Sequence, residues 1–276
     1  MKNSVKMVRV ERKNREHECV SFLKRAGVCN MYILEGIGLH YSHIHNYGLY
    51  AGDKVIGVLH TKNSMYLHLY LVPEADHLVV RVLATLIGKS FPKAEMLFGD
   101  ERSVALYFSG RGTRPVKTVR FIFMEINHDR FKPRLRYRGE IPSAAAAALL
   151  LPLQIQYEIE EVGAIGTQID RKKVLNVMER KIQRGEISAI FDAETPVALA
   201  GVNARFENCC QIGSVYVLPR YRGRGYGYSV VSYHVARLLK RYERIVLFVH
   251  EKNKAALHIY GNLGFEPTDV LVQAYC

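Results

Sequence analysis

Val215-Tyr216-Val217-Leu218-Pro219-Arg220-Tyr221-Arg222-Gly223-Arg224-Gly225-Tyr226-Gly227 is the stretch on which the reading of this chain turns. Ile212–Leu218 has the composition of a strand and stops at Pro219. A basic, glycine-rich turn follows, then helical spacing from Tyr228 to about Arg241. Strand, turn and helix in that order aim free backbone N–H groups and the positive end of a helix dipole at one point. The ligand to expect there is a phosphate or diphosphate. Gly223, Gly225 and Gly227 remove three Cβ atoms where such a ligand must approach the backbone. Arg220, Arg222 and Arg224 alternate with them and add positive charge.

Two common phosphate loops are excluded. A P-loop needs Gly-Lys-Ser/Thr, and none follows. A dinucleotide fingerprint needs an acid at the end of the next strand, whereas Glu243 precedes the strand Ile245–Val249. Arg222-Gly223-Arg224-Gly225-Tyr226-Gly227 instead resembles the Arg/Gln-x-x-Gly-x-Gly/Ala motif of the GNAT superfamily of acyl-CoA-dependent N-acetyltransferases. A second element of that family resembles Asn253-Lys254-Ala255-Ala256 with Tyr260 and Gly264-Phe265 behind it. The two cover about the last 70 residues closely, and the likeness extends more loosely back to Leu149.

The resemblance implies acetyl-CoA as co-substrate, an amine as acceptor, and direct attack of that amine on the thioester. Arg222, Gly223, Arg224, Gly225, Tyr226, Gly227 and Tyr228 would hold the diphosphate, largely through backbone N–H groups. Val215, Tyr216 and Val217 would line the pantetheine arm, with the N–H near Val217 polarising the carbonyl. Asn253 and Ala256 open the last helix beside the cofactor, Asn253 also being a natural N-cap. Tyr260 stands where the family places a proton donor to the thiolate, and a tyrosine near its ordinary pKa suits that task. The general base is open among Glu160, Glu161, Glu207 and His250, with Glu161 and Glu207 preferred. Glu160-Glu161-Val162-Gly163 also resembles an acidic segment of tandem GNAT proteins that would bind an amino substrate.

The chain has 276 residues, 49% of them hydrophobic, enough for two ordinary domains. No uncharged apolar run reaches the roughly 18 residues of a membrane span, and no secretory segment opens the chain, so a cytoplasmic location is expected. Five scattered cysteines suggest neither a disulfide framework nor a zinc site; Cys209-Cys210 reads as two strand thiols. His40, His43 and His45 are spaced like ligands but lack a nearby carboxylate or cysteine, so no metal is expected. The net charge of +13 is spread along the chain and does not single out a nucleic-acid partner. Monomer and homodimer are both open.

The halves repeat one order. Strands over 46–60, turning at Gly52-Asp53, and over 64–72 precede a helix over 74–88, a strand 95–98, a helix 101–108 and a strand 116–126. A helix over 168–183 then leads into strands 187–191 and 197–205, strand 212–218, helix 228–241, strand 244–250, helix 254–262 and strand 268–275. The expected fold is α/β (α+β): two mixed-sheet GNAT-like domains in tandem, residues 1–140 and 141–276. The first carries Leu71-Val72-Pro73-Glu74-Ala75-Asp76-His77 in place of the anion loop, with no glycine and two acids, and reads as degenerate. Between them Phe131–Ala148 reads as a junction, with Ser143 capping a short alanine helix. An N-acetyltransferase is the leading expectation. An acyl-CoA sensor without catalysis, or an acetyltransferase acting on protein lysines or nucleic-acid-bound amines, is the alternative.

Overall fold

A computed structural model describes residues 4–10, 18–25, 27, 30–38, 44–162 and 166–276. His40, His43 and Gly163 lie outside these residues. Contacts divide the chain into two units: 1–123 with 248–252 and 267–276, and 124–247 with 253–266.

The first unit begins with β1 (Val5–Arg9), α1 (Glu18–Arg25) and α2 (Met31–Gly38), which the repeat pattern leaves unassigned. Then follow β2 (Ile44–Ala51), β3 (Lys54–Lys62), β4 (Tyr66–Leu71), α3 (His77–Ser90), β5 (Met96–Asp100) and α4 (Glu101–Arg111). The order β1-β2-β3-β4-β5 is antiparallel except for the parallel pair β4–β5. The last strand of the chain, β11 (Glu266–Tyr275), runs antiparallel to β5, with Leu271 opposite Asp100 and Tyr275 opposite Met96. Val272 and Ala274 thereby join a core of Leu49, Leu59, Leu69, Leu83, Leu97 and Tyr107. Each such aliphatic side chain removed from water contributes about 1.5–3 kcal/mol before the entropy of ordering is counted.

In the second unit come α5 (Ala147–Tyr157), a π-helical turn (Glu158–Val162), α6 (Arg171–Gln183), β7 (Ile187–Asp192) and β8 (Thr195–Phe206). They lead to β9 (Cys209–Val217), α7 (Tyr226–Leu238), β10 (Arg244–His250, of which the residues up to Leu247 belong to this unit) and α8 (Lys254–Leu263). β6 (Lys117–Asn127) precedes them all, and its residues from Met124 onward belong to this unit. The strand order is β10-β9-β8-β7. β7 and β8 form the expected hairpin, turning through Ala193 in the left-handed region (φ 53°). Leu150, Leu153 and Ile155 of α5 pack with Met178 and Ile182 of α6 against Leu199 and Tyr216. That burial carries α5 through Pro152, which removes one helical hydrogen bond.

Ser143 does not cap as expected. It precedes a 3-10 turn (Ala144–Ala146) in extended conformation, and its side chain makes no capping bond. Most other helix starts follow the Asx rule: Asp76, Asp100, Asp170 and Asn253 each accept a backbone N–H of the first turn. α7 departs from it, because its N-cap is Gly225 (φ 93°) and no side chain caps it.

Candidate functional site: an uncapped helix beside a half-paired strand

The bare start of α7 follows from its sequence. Gly223 (φ 75°) and Gly225 (φ 93°) both occupy the left-handed region, where side chains are strained. A Cβ on Gly227 would come within 2.9 Å of Ile259 Cδ1. The glycines therefore turn the chain sharply into the helix and set α7 against α8. The first N–H groups of α7 have no capping side chain, so they and the helix dipole suit an anion such as a diphosphate.

The arginines act differently from the expectation of loose positive charge. Arg222 is committed: its Nε donates to Val217 O at 2.9 Å, and its NH2 reaches Glu160 Oε2 at 2.7 Å. Arg220 and Arg224 both lie over the ring of Tyr221. Tyr226 is buried and stacks on Tyr137, with ring centroids 3.9 Å apart and planes within 4°. Tyr137 also donates from its hydroxyl to Arg224 O (3.2 Å), while the Arg136 and Tyr137 N–H groups donate to Ser229 Oγ. Arg134 N–H donates to Ser232 Oγ, and its guanidinium sits 5.7 Å from the Tyr228 ring. The stretch expected as a junction is thus a strap fastened along α7, holding the glycine loop from outside.

β9 supplies the second half of the site. Its pairing with β10 covers Cys209–Gln211 against Arg244–Val246, so among the described residues Ile212–Val217 have no ladder partner on that edge. The Leu218 N–H donates to Val197 O on β8, so by strand periodicity the main-chain groups of Val217 face away from β8. With Arg222 on its carbonyl, the Val217 N–H has no acceptor among the described residues. Ser214, inside the strand, has φ 49°, and the register against β8 slips between Gly213 and Tyr216. This bulge re-aims the end of β9. The hydroxyl of the half-buried Tyr157 is hydrogen-bonded to the Ser214 backbone there, and desolvation above all pushes its pKa up to about 12.

The same hydrogen bond recurs in the first unit, where Val72 N–H donates to Ile56 O. Leu71 is therefore the counterpart of Val217, and there the N–H is taken: it donates to Ser103 Oγ at 2.8 Å. Ser103 lies three residues past the cap Asp100, as Ala256 lies three past Asn253. Asp76 likewise accepts from Leu78 N–H (2.8 Å) and Val79 N–H (3.2 Å), putting the chain's own carboxylate on the helix start that α7 leaves bare. In the first unit both positions are filled by the chain's own side chains.

Around the π-helical turn, Glu160 accepts from the Tyr216 hydroxyl at 2.6 Å as well as from Arg222. The Tyr216 bond, then Arg222, hold its carboxyl below the usual range against some desolvation. The carboxylate of Glu161 lies 3.4 Å from Asn253 Nδ2, and Asn253 caps α8 through Ala256 N–H at 3.1 Å. Tyr260 is buried against Phe265; burial first, then Tyr157 and the charge of Glu161, push its pKa well above the ordinary tyrosine value. The expectation of a near-ordinary pKa is corrected accordingly, because this ring is also core. Glu207 is not brought to the site. It sits exposed in the β8–β9 turn at φ 50°, separated from Val217 by the length of β9, about 26 Å at ~3.3 Å per residue. The His250 Nδ1 accepts from Lys252 N–H, and its ring packs on Phe121 within the first unit. Cys209 and Cys210 are buried strand thiols that form no disulfide.

Residues 159–265 match the profile of the acetyltransferase (GNAT) family. This segment is a GNAT acetyltransferase domain. An uncharacterized N-acetyltransferase of Methanocaldococcus jannaschii is 36% identical over 70 residues, which is 25% of this chain and 31% of that relative. Over nearly the whole chain, the fold matches an acetyltransferase from the GNAT family of Colwellia psychrerythraea (TM-score 0.63, 15% identity, 98% of this chain and 99% of that one). It also matches a tandem GNAT protein from the clavulanic acid biosynthesis pathway (TM-score 0.62, 14% identity, 99% and 98%). The GNAT domain thus holds the glycine loop, β9 and the Asn253–Tyr260 helix. The strap, Tyr157 and the Ser214 bulge lie outside the motif spacing, and Gly213 beside the bulge is the one local sign of them. Among the described residues no cluster of metal-ligating side chains occurs, and no helix is long and apolar enough to cross a membrane.

Proposed function

We propose that the GNAT domain transfers an acetyl group from acetyl-CoA to a primary amine. The observation that carries this reading is the Val217 N–H, without an acceptor among the described residues, beside the uncapped start of α7; both have filled counterparts in the first unit. Acetyl-CoA would supply the thioester. The residues fit it: the Gly223–Tyr228 backbone for the diphosphate, the unladdered edge of β9 for the pantetheine arm, and Val217 N–H for the carbonyl oxygen.

In this reading the amine nitrogen forms its bond to the carbonyl carbon as the carbon–sulfur bond breaks. Glu161 takes the proton the amine sheds. Tyr260, kept protonated by burial, donates a hydrogen bond to the departing sulfur as charge develops on it, and the thiolate takes its proton from solvent.

The test is amine-dependent thiol release from acetyl-CoA by the wild type and Tyr260→Phe. The variant should bind CoA with unchanged affinity and turn over more slowly; equal turnover would remove Tyr260 from the mechanism. Wild-type CoA binding without thiol release for any amine would favour the non-catalytic sensor.

A further inference from the structure

The turn Glu158–Val162 holds three carboxylates, and they are not equivalent. Glu158 Oε1 accepts from Gln154 Nε2 at 2.8 Å. Glu160 uses one oxygen for Tyr216 and the other for Arg222. Glu161 has only the long approaches of Asn253 Nδ2, and it is exposed. Glu160 has a bond to each oxygen, one of them an ion pair, and Glu161 has the longest contacts of the three. We infer that Glu160 is a positioning residue for acetyl transfer: anchored by Tyr216 and Arg222, it fixes the π-helical turn to the end of β9 and so presents Glu161 to a cationic acceptor amine. This rests on the acetyltransferase reading and assigns separate tasks to two neighbouring acids.

The geometry gives the anchor its reach. Arg222 is the first residue of the glycine loop, and its guanidinium touches both Val217 O and Glu160. Tyr216 lies beside Val217 on β9, with its ring in the core of α5, α6 and β8. A single carboxylate therefore ties the turn to the strand end and to the loop. A planar guanidinium can make both contacts at once, which a lysine ammonium on a flexible stem does not reproduce. A π-helical turn is a rare, locally strained conformation, and side-chain anchors of this kind hold one in place. Glu160 spends its charge on Arg222 and the Tyr216 hydroxyl, which leaves it the weaker partner for the amine.

The experiment measures steady-state kinetics with putrescine and a lysine-bearing peptide as probe amines, together with calorimetric binding of acetyl-CoA. Glu160→Gln keeps the shape and loses the charge. It should raise the KM for the amine by about tenfold to a hundredfold, the worth of charge-assisted bonds, and lower kcat much less. Acetyl-CoA affinity should stay within about twofold, since the Gly223–Tyr228 backbone is untouched. Glu161→Gln should instead lower kcat. Tyr216→Phe removes one anchor and keeps the ion pair, so it should raise the amine KM in the same direction by a smaller factor; it also reports if Glu160→Gln fails to fold. An unchanged amine KM in Glu160→Gln, or in a folded Tyr216→Phe, overturns the inference while wild-type turnover stands. Parallel loss of amine and acetyl-CoA binding overturns it too, as a merely structural role would give. No wild-type turnover with either amine counts against the acetyltransferase reading itself, and this inference falls with it.

Discussion

Ala256→Ser would copy into the GNAT domain the side chain that closes the first unit. In the first unit Ser103, third residue after the cap Asp100, accepts the Leu71 N–H at 2.8 Å. Ala256 holds the equivalent place after Asn253, and Val217 the equivalent place on β9. A serine hydroxyl at 256 would compete with the thioester oxygen for the Val217 N–H. Displacing such a bond costs about 1 kcal/mol, or roughly fivefold in rate. Losing the donor outright costs about 2.7–4 kcal/mol, or roughly 10²–10³-fold. The expected fall in kcat lies between these bounds. Stability should barely change, because serine in place of alanine in a first helical turn costs under about 0.7 kcal/mol and the added bond offsets it. The converse, Ser103→Ala, should leave turnover intact and destabilise by about 1–3 kcal/mol, since the buried Leu71 N–H would lose its acceptor. Both variants are read by thiol release from acetyl-CoA and by thermal melting. An Ala256→Ser enzyme with wild-type kcat would refute the equivalence of Ala256 with Ser103, because β9 and β10 are laddered only to Gln211 where β4 and β5 are laddered to Leu69 and the hydroxyl has the wider gap to span.

Three further outcomes follow from the same geometry. Gly225→Glu places a carboxylate and a Cβ at φ 93° on the bare start of α7, and calorimetry should show loss of acetyl-CoA binding; retained affinity would remove the loop from the cofactor site. Binding should saturate at one acetyl-CoA per chain, since Asp76 and Ser103 fill the first unit's counterpart positions; two equivalents would show that they yield to ligand. The carboxyl of Glu160 is held below its ordinary value of 4.5, so its contribution to stability is present above that pH and lost as pH falls through the lower folded value. Glu160→Gln should therefore flatten the fall of melting temperature on the acid side, and an unaltered acid profile would mean the bonds to Tyr216 and Arg222 add nothing to stability.

The parts of the site that are backbone and local were legible in the sequence. Three glycines among arginines after a proline announce an uncapped helix start, and Asn253 three residues before Ala256 announces a capped one. The alternation of β7, β8 and β9 was equally plain, since each buries one face or both. What escaped is long-range. Nothing near Tyr137 says that it stacks on Tyr226, because the contact spans nearly ninety residues and uses serine hydroxyls on α7. The Ser214 bulge is marked only by Gly213, a glycine inside a strand, and the sequence reading assigns no bulge there. β11 reads as a strand from its composition, but composition does not say that its partner is β5. Glu207 reads correctly as lying at the start of the β9 region, but the glycine loop follows the other end of that strand, and the turn at φ 50° leaves the two a strand's length apart. Tyr260 satisfied both its motif and its helix face, and the burial that makes it core is what raises its pKa.

The most direct test of acetyl transfer is the rate of free-thiol appearance from acetyl-CoA as a panel of primary amines is added to the full chain. Release that saturates with one class of amine, and that Glu161→Gln and Ala256→Ser each depress while acetyl-CoA still binds, is the predicted result. Tight acetyl-CoA binding with no amine-dependent release across the panel would contradict it and leave the site as a sensor of its ligand.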